Sequence, residues 1–108
     1  MIHYRYSLYG TAFGVEHRFE EESTALPLHA HEADCGHTTQ VLAGRAHLVV
    51  RDEPVQTLSP QDGEVTFDFT RLHTLVALKR GTLIFNRLEP RPADWQRRLD
   101  AEGDWQCL

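Results

Sequence analysis

Apolar and polar residues alternate one by one over much of this chain, in short runs separated by turn signals. Val15, His17 and Phe19 alternate with Glu16 and Arg18. This period of two places every second side chain on the same face of a β-strand. Similar runs bounded by Gly, Pro or Asp predict many short strands, as in an antiparallel sandwich or barrel. These further runs are residues 4–8, 39–43, 46–51, 55–58, 64–69, 73–78 and 83–88.

Only the C-terminal tail predicts a helix. Residues 92–94 offer a start, Trp95 and Leu99 share one helical face, and Gly103 can end the helix. So short a helix needs packing against the strands to persist. The 108 residues are enough for one domain, which we expect to span the whole chain.

The charge balance excludes some partners. The 11 basic and 16 acidic residues give a net charge of -5, and no Lys or Arg run is long enough to follow a phosphate backbone. We therefore expect no nucleic-acid partner. The first residues lack the apolar core of a secretion signal and no apolar run could span a bilayer, so we expect a cytoplasmic protein without a membrane partner. In that compartment Cys35 and Cys107 stay free thiols.

Four of the seven histidines form a pattern. His29 and His31 are two residues apart, so both side chains share one face of an extended strand. His37 follows a loop-like stretch that ends in Gly36, and His73 lies on another predicted strand. Neutral imidazole is a good ligand for first-row divalent metals. The pattern indicates one metal ion held by these four side chains, with positions left for water or substrate.

The segment HAHEADCGHTTQVLAG, residues 29–44, resembles the first motif of the cupins. That motif reads Gly, five residues, His-x-His, three or four residues, Glu, six residues, Gly. His29 and His31 match its His-x-His pair, Gly44 matches its closing Gly, and His37 stands in place of its Glu. The leading Gly is absent, and the loop between His31 and His37 is one residue longer than usual.

The second cupin motif is matched at its ends by Gly63 and His73, without its usual Pro-x-Gly. The resemblance covers residues 13–88. It implies an all-β, cupin-type double-stranded β-helix, or jelly-roll barrel, here with the short C-terminal helix. It also implies a metal site at His29, His31, His37 and His73. Small members with four histidines include dioxygenase-like proteins and some polyketide cyclases.

Four neutral imidazoles leave a divalent ion with its full charge of about +2, which favours an anionic ligand such as an enolate. Such a site disfavours Mg and Ca and leaves Fe, Mn, Ni, Cu and Zn open. The leading hypothesis is an oxidoreductase, a dioxygenase acting on an enolisable or phenolic small molecule. The alternatives are a Lewis-acid isomerase, cyclase or decarboxylase, a non-catalytic metal- or ligand-binding module, and a structural role with an empty site.

Other residues keep two interpretations each. His17 has inward parity, so it is either a cavity-lining acid or base or a hydrogen-bonded interior residue. Cys35 lies in the ligand loop, where it is either a functional thiol close to the metal or a thiol without a functional role. Exposed strand edges and the aromatic first strand predict a homodimer. Phe67, Phe69 and Phe85 are either pocket walls or core, and Arg71 either reaches an anionic substrate or faces solvent.

Overall fold

The structure is a computed structural model, which describes residues 2–26, 28, 30, 36–91 and 105–107. These residues form β-strands and one 3-10 turn, Pro60–Asp62. The strands in chain order are β1 (Ile2–Tyr9), β2 (Ala12–Phe19), β3 (Gly36–Ala43), β4 (Ala46–Val50), β5 (Gln56–Leu58), β6 (Glu64–Val65), β7 (His73–Ala77), β8 (Leu83–Glu89) and β9 (Trp105–Cys107).

The strands make two sheets that pack face to face. One sheet has six strands in the order β6-β3-β8-β2-β1-β9, and the other has three in the order β5-β4-β7. The pairs are antiparallel except β1 with β9, which is parallel. Several neighbours in the sheets come from distant parts of the chain, since β8 lies between β2 and β3, and β4 lies beside β7. The predicted all-β, jelly-roll architecture is confirmed.

Alternation along the strands defines the inner faces. Buried and partly exposed residues alternate along β3, β4 and β8, because a strand that packs on one side buries every second side chain. A ten-residue apolar cluster combines Phe19, Val41 and Ile84 of the large sheet with residues of the small sheet such as Leu48 and Leu75. Burial of each large side chain contributes about 1.5–3 kcal/mol. This cluster holds the two sheets together.

A second, smaller apolar cluster lies at the other end of the large sheet. It consists of Phe13, Val15 and Leu88, with Tyr4 and Tyr6 packed against it. The β2–β8 register pairs Phe13 with Leu88, so this cluster lies towards the β1–β2 turn. The apolar interior is therefore divided in two.

The turn between β3 and β4 requires Gly44. Its φ is +80°, and a Cβ there would lie 2.5 Å from the Thr82 Oγ1 and 2.9 Å from the Thr82 Cα. Only glycine adopts this backbone conformation without cost and also leaves room for the neighbouring chain. The glycine that closes the first motif thus has a steric reason in this fold.

Two predicted elements differ from the structure. Of the predicted strand 64–69, only β6 is a strand. The residues after β6 form other hydrogen bonds: the Thr66 hydroxyl donates to the His37 carbonyl, and Asp68 accepts from Thr70. Strand β3 begins at Gly36, so His37 lies within the strand, which starts three residues before the predicted run 39–43. The helix predicted over 92–103 lies outside the described residues. Within the part that is described, no helix is long and apolar enough to cross a membrane.

Candidate metal centre

Two of the four predicted ligands can be located, and they face each other across the interior. His37 on β3 is 5% exposed and His73 on β7 is 1% exposed. Their ring centroids are 5.9 Å apart, and the ring planes are inclined by 32°. His29, His31 and Cys35 lie outside the described residues. The structure therefore brings together one predicted ligand from each sheet.

Strand register explains why both rings point inward. His37 pairs with Leu88 on β8, and His73 pairs with Val50 on β4. Paired residues in an antiparallel sheet lie on the same face, and both partners are buried core residues. The inward position of His73 follows from the parity that it shares with Leu75.

A backbone hydrogen bond orients the His73 ring. Its Nδ1 lies 2.8 Å from the Arg71 carbonyl oxygen. A carbonyl oxygen only accepts, so the proton is on Nδ1, and Nε2 is the nitrogen that carries the lone pair. Metal-binding histidines characteristically donate their other ring N–H to a carbonyl or carboxylate. His73 thus has the tautomer that a metal ligand needs.

The Arg71 carbonyl is held by a hydrogen-bonded turn over residues 68–71. The Arg71 amide donates to the Asp68 carbonyl at 3.1 Å, and its Nε donates to the Asp68 carboxylate at 3.1 Å. Asp68 also accepts from the Thr70 hydroxyl and amide. The Thr70 hydroxyl is the main reason that the pKa of Asp68 lies below its ordinary value. The Arg71 side chain, a candidate for binding an anionic substrate, instead joins this surface network.

Aromatic rings cover the two imidazoles. Phe67 meets His37 edge to face at 5.2 Å and His73 at 4.7 Å, and Phe69 meets His37 at 6.1 Å. These contacts exclude water from one side of the imidazole pair. Phe85 has the opposite parity from buried Ile84 on β8 and packs near Gly14, so the interpretation of Phe85 as a pocket wall is wrong.

The located residues fit a divalent transition metal. Metal–nitrogen bonds of about 2.0–2.1 Å and bond angles of about 90–110° place the centroids of two imidazoles on one ion roughly 4.5–5.3 Å apart. The observed 5.9 Å is within about 1 Å of that range. Apart from these two rings, the described residues contain no third His, Cys, Asp or Glu that completes a metal-binding group. The other two predicted ligands, His29 and His31, lie outside the described residues.

Three buried polar side chains lie on the inner face of the large sheet, and two of them, Thr39 and Asn86, were not singled out in the sequence. They are His17 on β2, Thr39 on β3 and Asn86 on β8, and we call them the polar belt. The Thr39 hydroxyl donates to the Asn86 Oδ1 at 2.6 Å, and the Asn86 Nδ2 lies 3.3 Å from the His17 Nδ1. Asn86 was detectable as a polar residue at the inward parity of an apolar strand. Of the two interpretations of His17, the hydrogen-bonded interior residue is the one observed.

Comparison with known proteins rests on structure rather than sequence, since no protein-family model and no curated protein sequence matches the chain. An RmlC-like cupin from Desulfovibrio desulfuricans gives a TM-score of 0.69 at 16% identity, over 82% of both chains. KdgF from Halomonas sp. gives 0.71 at 22% identity, over 86% of this chain and 82% of KdgF.

A third match is the Cupin_2 domain of an XRE family transcriptional regulator from Enterobacter cloacae. It gives a TM-score of 0.62 at 19% identity, over 75% of this chain and 84% of that domain. Identities this low establish architecture and leave activity to the site. The two facing sheets, their strand order and these superpositions lead to one conclusion: this chain has the cupin fold.

Proposed function

We propose that this protein is a metal-dependent enzyme acting on a small molecule, with one divalent ion held by His29, His31, His37 and His73. The observation that carries the proposal is the pair of buried rings, His37 and His73, whose centroids lie 5.9 Å apart. Imidazole nitrogens are good ligands for first-row divalent metals, and two imidazoles that face each other from separate sheets can bind one ion. The Nδ1 bond of His73 to the Arg71 carbonyl leaves Nε2 as the nitrogen for the ion.

The protein residues bind, orient and exclude water. Four neutral imidazoles do not reduce the charge of the ion, so the site attracts an enolate or phenolate oxygen. Phe67 and Phe69 exclude water on one side, which strengthens that attraction by lowering the local dielectric. When bound, the ion supplies activation of O2 if it is iron or copper, or Lewis-acid polarisation of a carbonyl if it is zinc, nickel or manganese.

Dioxygenase chemistry on an enolisable or phenolic substrate is the leading form of the proposal. Within the described part of the chain, no carboxylate lies beside the imidazole pair. None of these described residues supplies a carboxylate base there, so the proposed chemistry depends on the ion. Lewis-acid isomerisation, cyclisation or decarboxylation uses the same site and is the alternative reaction class. Other solved structures with this fold include a DMSP lyase from Ruegeria pomeroyi, so a lyase is compatible with the fold as well.

A second candidate function is ligand sensing. The similarity to the cupin domain of a transcriptional regulator favours it. In that case the chain binds a metal or a small ligand and acts through another protein. Association into a homodimer is compatible with either function and stays a prediction, as does a cytoplasmic location.

The test is metal analysis of protein purified without chelator, followed by O2 uptake with 1,3-diketones and phenols. We expect about one ion per chain and oxygen consumption that disappears in His37→Ala. His47→Ala is the matched control, because His47 lies on β4 at the parity opposite to the core and is only half-buried. Metal without turnover of any compound would favour the sensing module. Failure to bind any of the five metals would contradict the enzyme proposal and leave only the sensing of a small ligand.

A further inference from the structure

A cavity of about 460 Å³ lies between the end of β2 and the turn that joins β7 to β8. Its walls are Arg18, Phe19, Glu20, Glu21, Arg80 and Gly81. On β8, Arg18 pairs with Leu83 and His37 pairs with Leu88, so the cavity lies about 16 Å along the strand from His37. The cavity is therefore separate from the candidate metal centre, and its volume is in the usual range for small-molecule sites.

Backbone hydrogen bonds fix the two walls of this cavity relative to each other. The Gly81 amide donates to the Phe19 carbonyl at 2.8 Å, and the Phe19 amide donates to the Thr82 carbonyl at 2.9 Å. A Cβ placed on Gly81 would meet nothing within 4 Å, so the space beside the turn is open. Arg18 and Arg80 thus project from backbone segments that are bonded to each other.

The guanidinium groups of Arg18 and Arg80 have no ion-pair partner among the described residues. In that part of the chain, carboxylates pair only with His3, Arg5, Arg71 and Arg87. Glu20 lines the cavity but is hydrogen-bonded to the His3 Nε2. That bond is the main reason that the pKa of Glu20 lies below its ordinary value, and the charge of Arg18 adds a smaller effect.

More cationic side chains lie next to this cavity, although the whole chain has a net charge of -5. Lys79 precedes Arg80 in the turn, and the Arg45 carbonyl accepts from the Leu78 amide at 2.8 Å. With Arg18, four cations surround this end of the fold, against three acidic residues at positions 20–22. A small anion that reaches the cavity is therefore attracted to it.

We infer that this cavity binds a small organic phosphate, with the phosphate group between the guanidinium groups of Arg18 and Arg80. Guanidinium groups bind phosphate oxygens through parallel N–H donors. A phosphate monoester carries a charge of about -1.5 to -2, so one group can pair with both cations. The cavity is far larger than a phosphate group, so the ligand also has an organic part, whose hydroxyl groups can donate to the Glu21 carboxylate. This site requires no metal ion and goes beyond the proposed function.

Calorimetric titration with glucose 6-phosphate, inorganic phosphate and glucose tests the inference. The variants are Arg18→Gln and Arg80→Gln, which remove one charge each from an exposed position. Arg51→Gln is the matched control, because Arg51 is also exposed and without an ion pair in the described part of the chain, but follows β4 at the end where Val50 pairs with His73. Each titration is repeated with a chelator, which removes any anion site that a metal ion provides.

We expect glucose 6-phosphate to bind with a dissociation constant of about 1 mM or lower, inorganic phosphate to bind more weakly, and glucose not to bind. Arg18→Gln and Arg80→Gln should each weaken the binding of glucose 6-phosphate by about tenfold or more, because a charge-assisted hydrogen bond is lost. Arg51→Gln and the chelator should leave the binding unchanged. Added salt should weaken it, because the site is exposed.

Four results would overturn the inference. The first is no binding of either phosphate compound at about 10 mM. The second is equal weakening in Arg51→Gln, which would indicate general attraction by charge. The third is loss of binding with the chelator, which would place the anion at the metal centre. The fourth is binding of inorganic phosphate as tight as that of glucose 6-phosphate, which would remove the role of the organic part.

Discussion

Replacing His73 by alanine should remove most of the stabilisation that a metal ion gives to this protein. His73 is 1% exposed, and its Nδ1 is bound to the Arg71 carbonyl, so its other nitrogen has a fixed direction. An ion that binds only the folded state adds about 2.7 kcal/mol when its concentration is one hundred times Kd. Mutation of a residue that only hydrogen-bonds to a metal ligand can lower the metal affinity by roughly 100-fold. Removal of the ligand itself should lower the affinity by at least as much.

The same metal concentration then equals about one Kd, and the stabilisation falls to roughly 0.4 kcal/mol. For a domain of this size, about 1 kcal/mol shifts Tm by roughly 4–8 °C. The wild-type protein should therefore gain about 10–20 °C in Tm on metal addition, and His73→Ala about 2–3 °C. The variant also loses stability without metal, because a buried ring is removed, so only the metal-induced difference is informative.

The assay is thermal unfolding with zinc and with chelator, at equal protein concentration. His47→Ala is the control, since it removes a half-buried outward-facing histidine from β4. It should keep the full metal-induced shift. A full shift in His73→Ala, or an equal loss in His47→Ala, would refute the reasoning.

Two further predictions concern the scaffold. Gly44→Ala should destabilise the fold by about 2–4 kcal/mol, because alanine is strained in the left-handed conformation and its Cβ would contact Thr82. The control is Gly81→Ala, which should cost only about 1 kcal/mol, because Gly81 has a similar φ of +79° but open space around it. Equal urea midpoints for the two variants would contradict the steric argument. The pKa of Asp68 in the folded protein lies below its ordinary value of 3.8. The ionised carboxylate therefore stabilises the 68–71 turn fully above pH 3.8, and this stabilisation is lost as the pH falls through the folded-state pKa. Asp68→Ala should therefore lower the urea midpoint at pH 6, and the difference from wild type should narrow as the pH falls below 3.8. A difference that widens on acidification would contradict this.

Much of the strand pattern could be read from the sequence. Alternation located β2, β4, β7 and β8, because burial on one side of a sheet imposes a period of two. The same parity placed His17 on the inner face, where the structure has it. Parity could also have rejected Phe85 as a pocket wall, since its neighbour Ile84 occupies the inner face.

Local side-chain hydrogen bonds account for the differences. Residues 66–69 alternate like a strand, yet Asp68 and Thr66 bond to nearby groups and end the ladder after β6. Such bonds compete with sheet pairing and leave no periodic signal. The contact between Asn86 and His17 depends on the pairing of β2 with β8, which are distant in sequence, so the polar belt could not be assembled from local patterns.

The central claim is that imidazoles from both sheets converge on one ion. Anomalous diffraction from crystals grown with zinc tests it most directly. The account predicts one strong peak per chain within about 2.0–2.2 Å of the His73 Nε2 and of a His37 ring nitrogen. A peak bonded elsewhere on the molecule, or crystals soaked in zinc with no peak between these two rings, would contradict it.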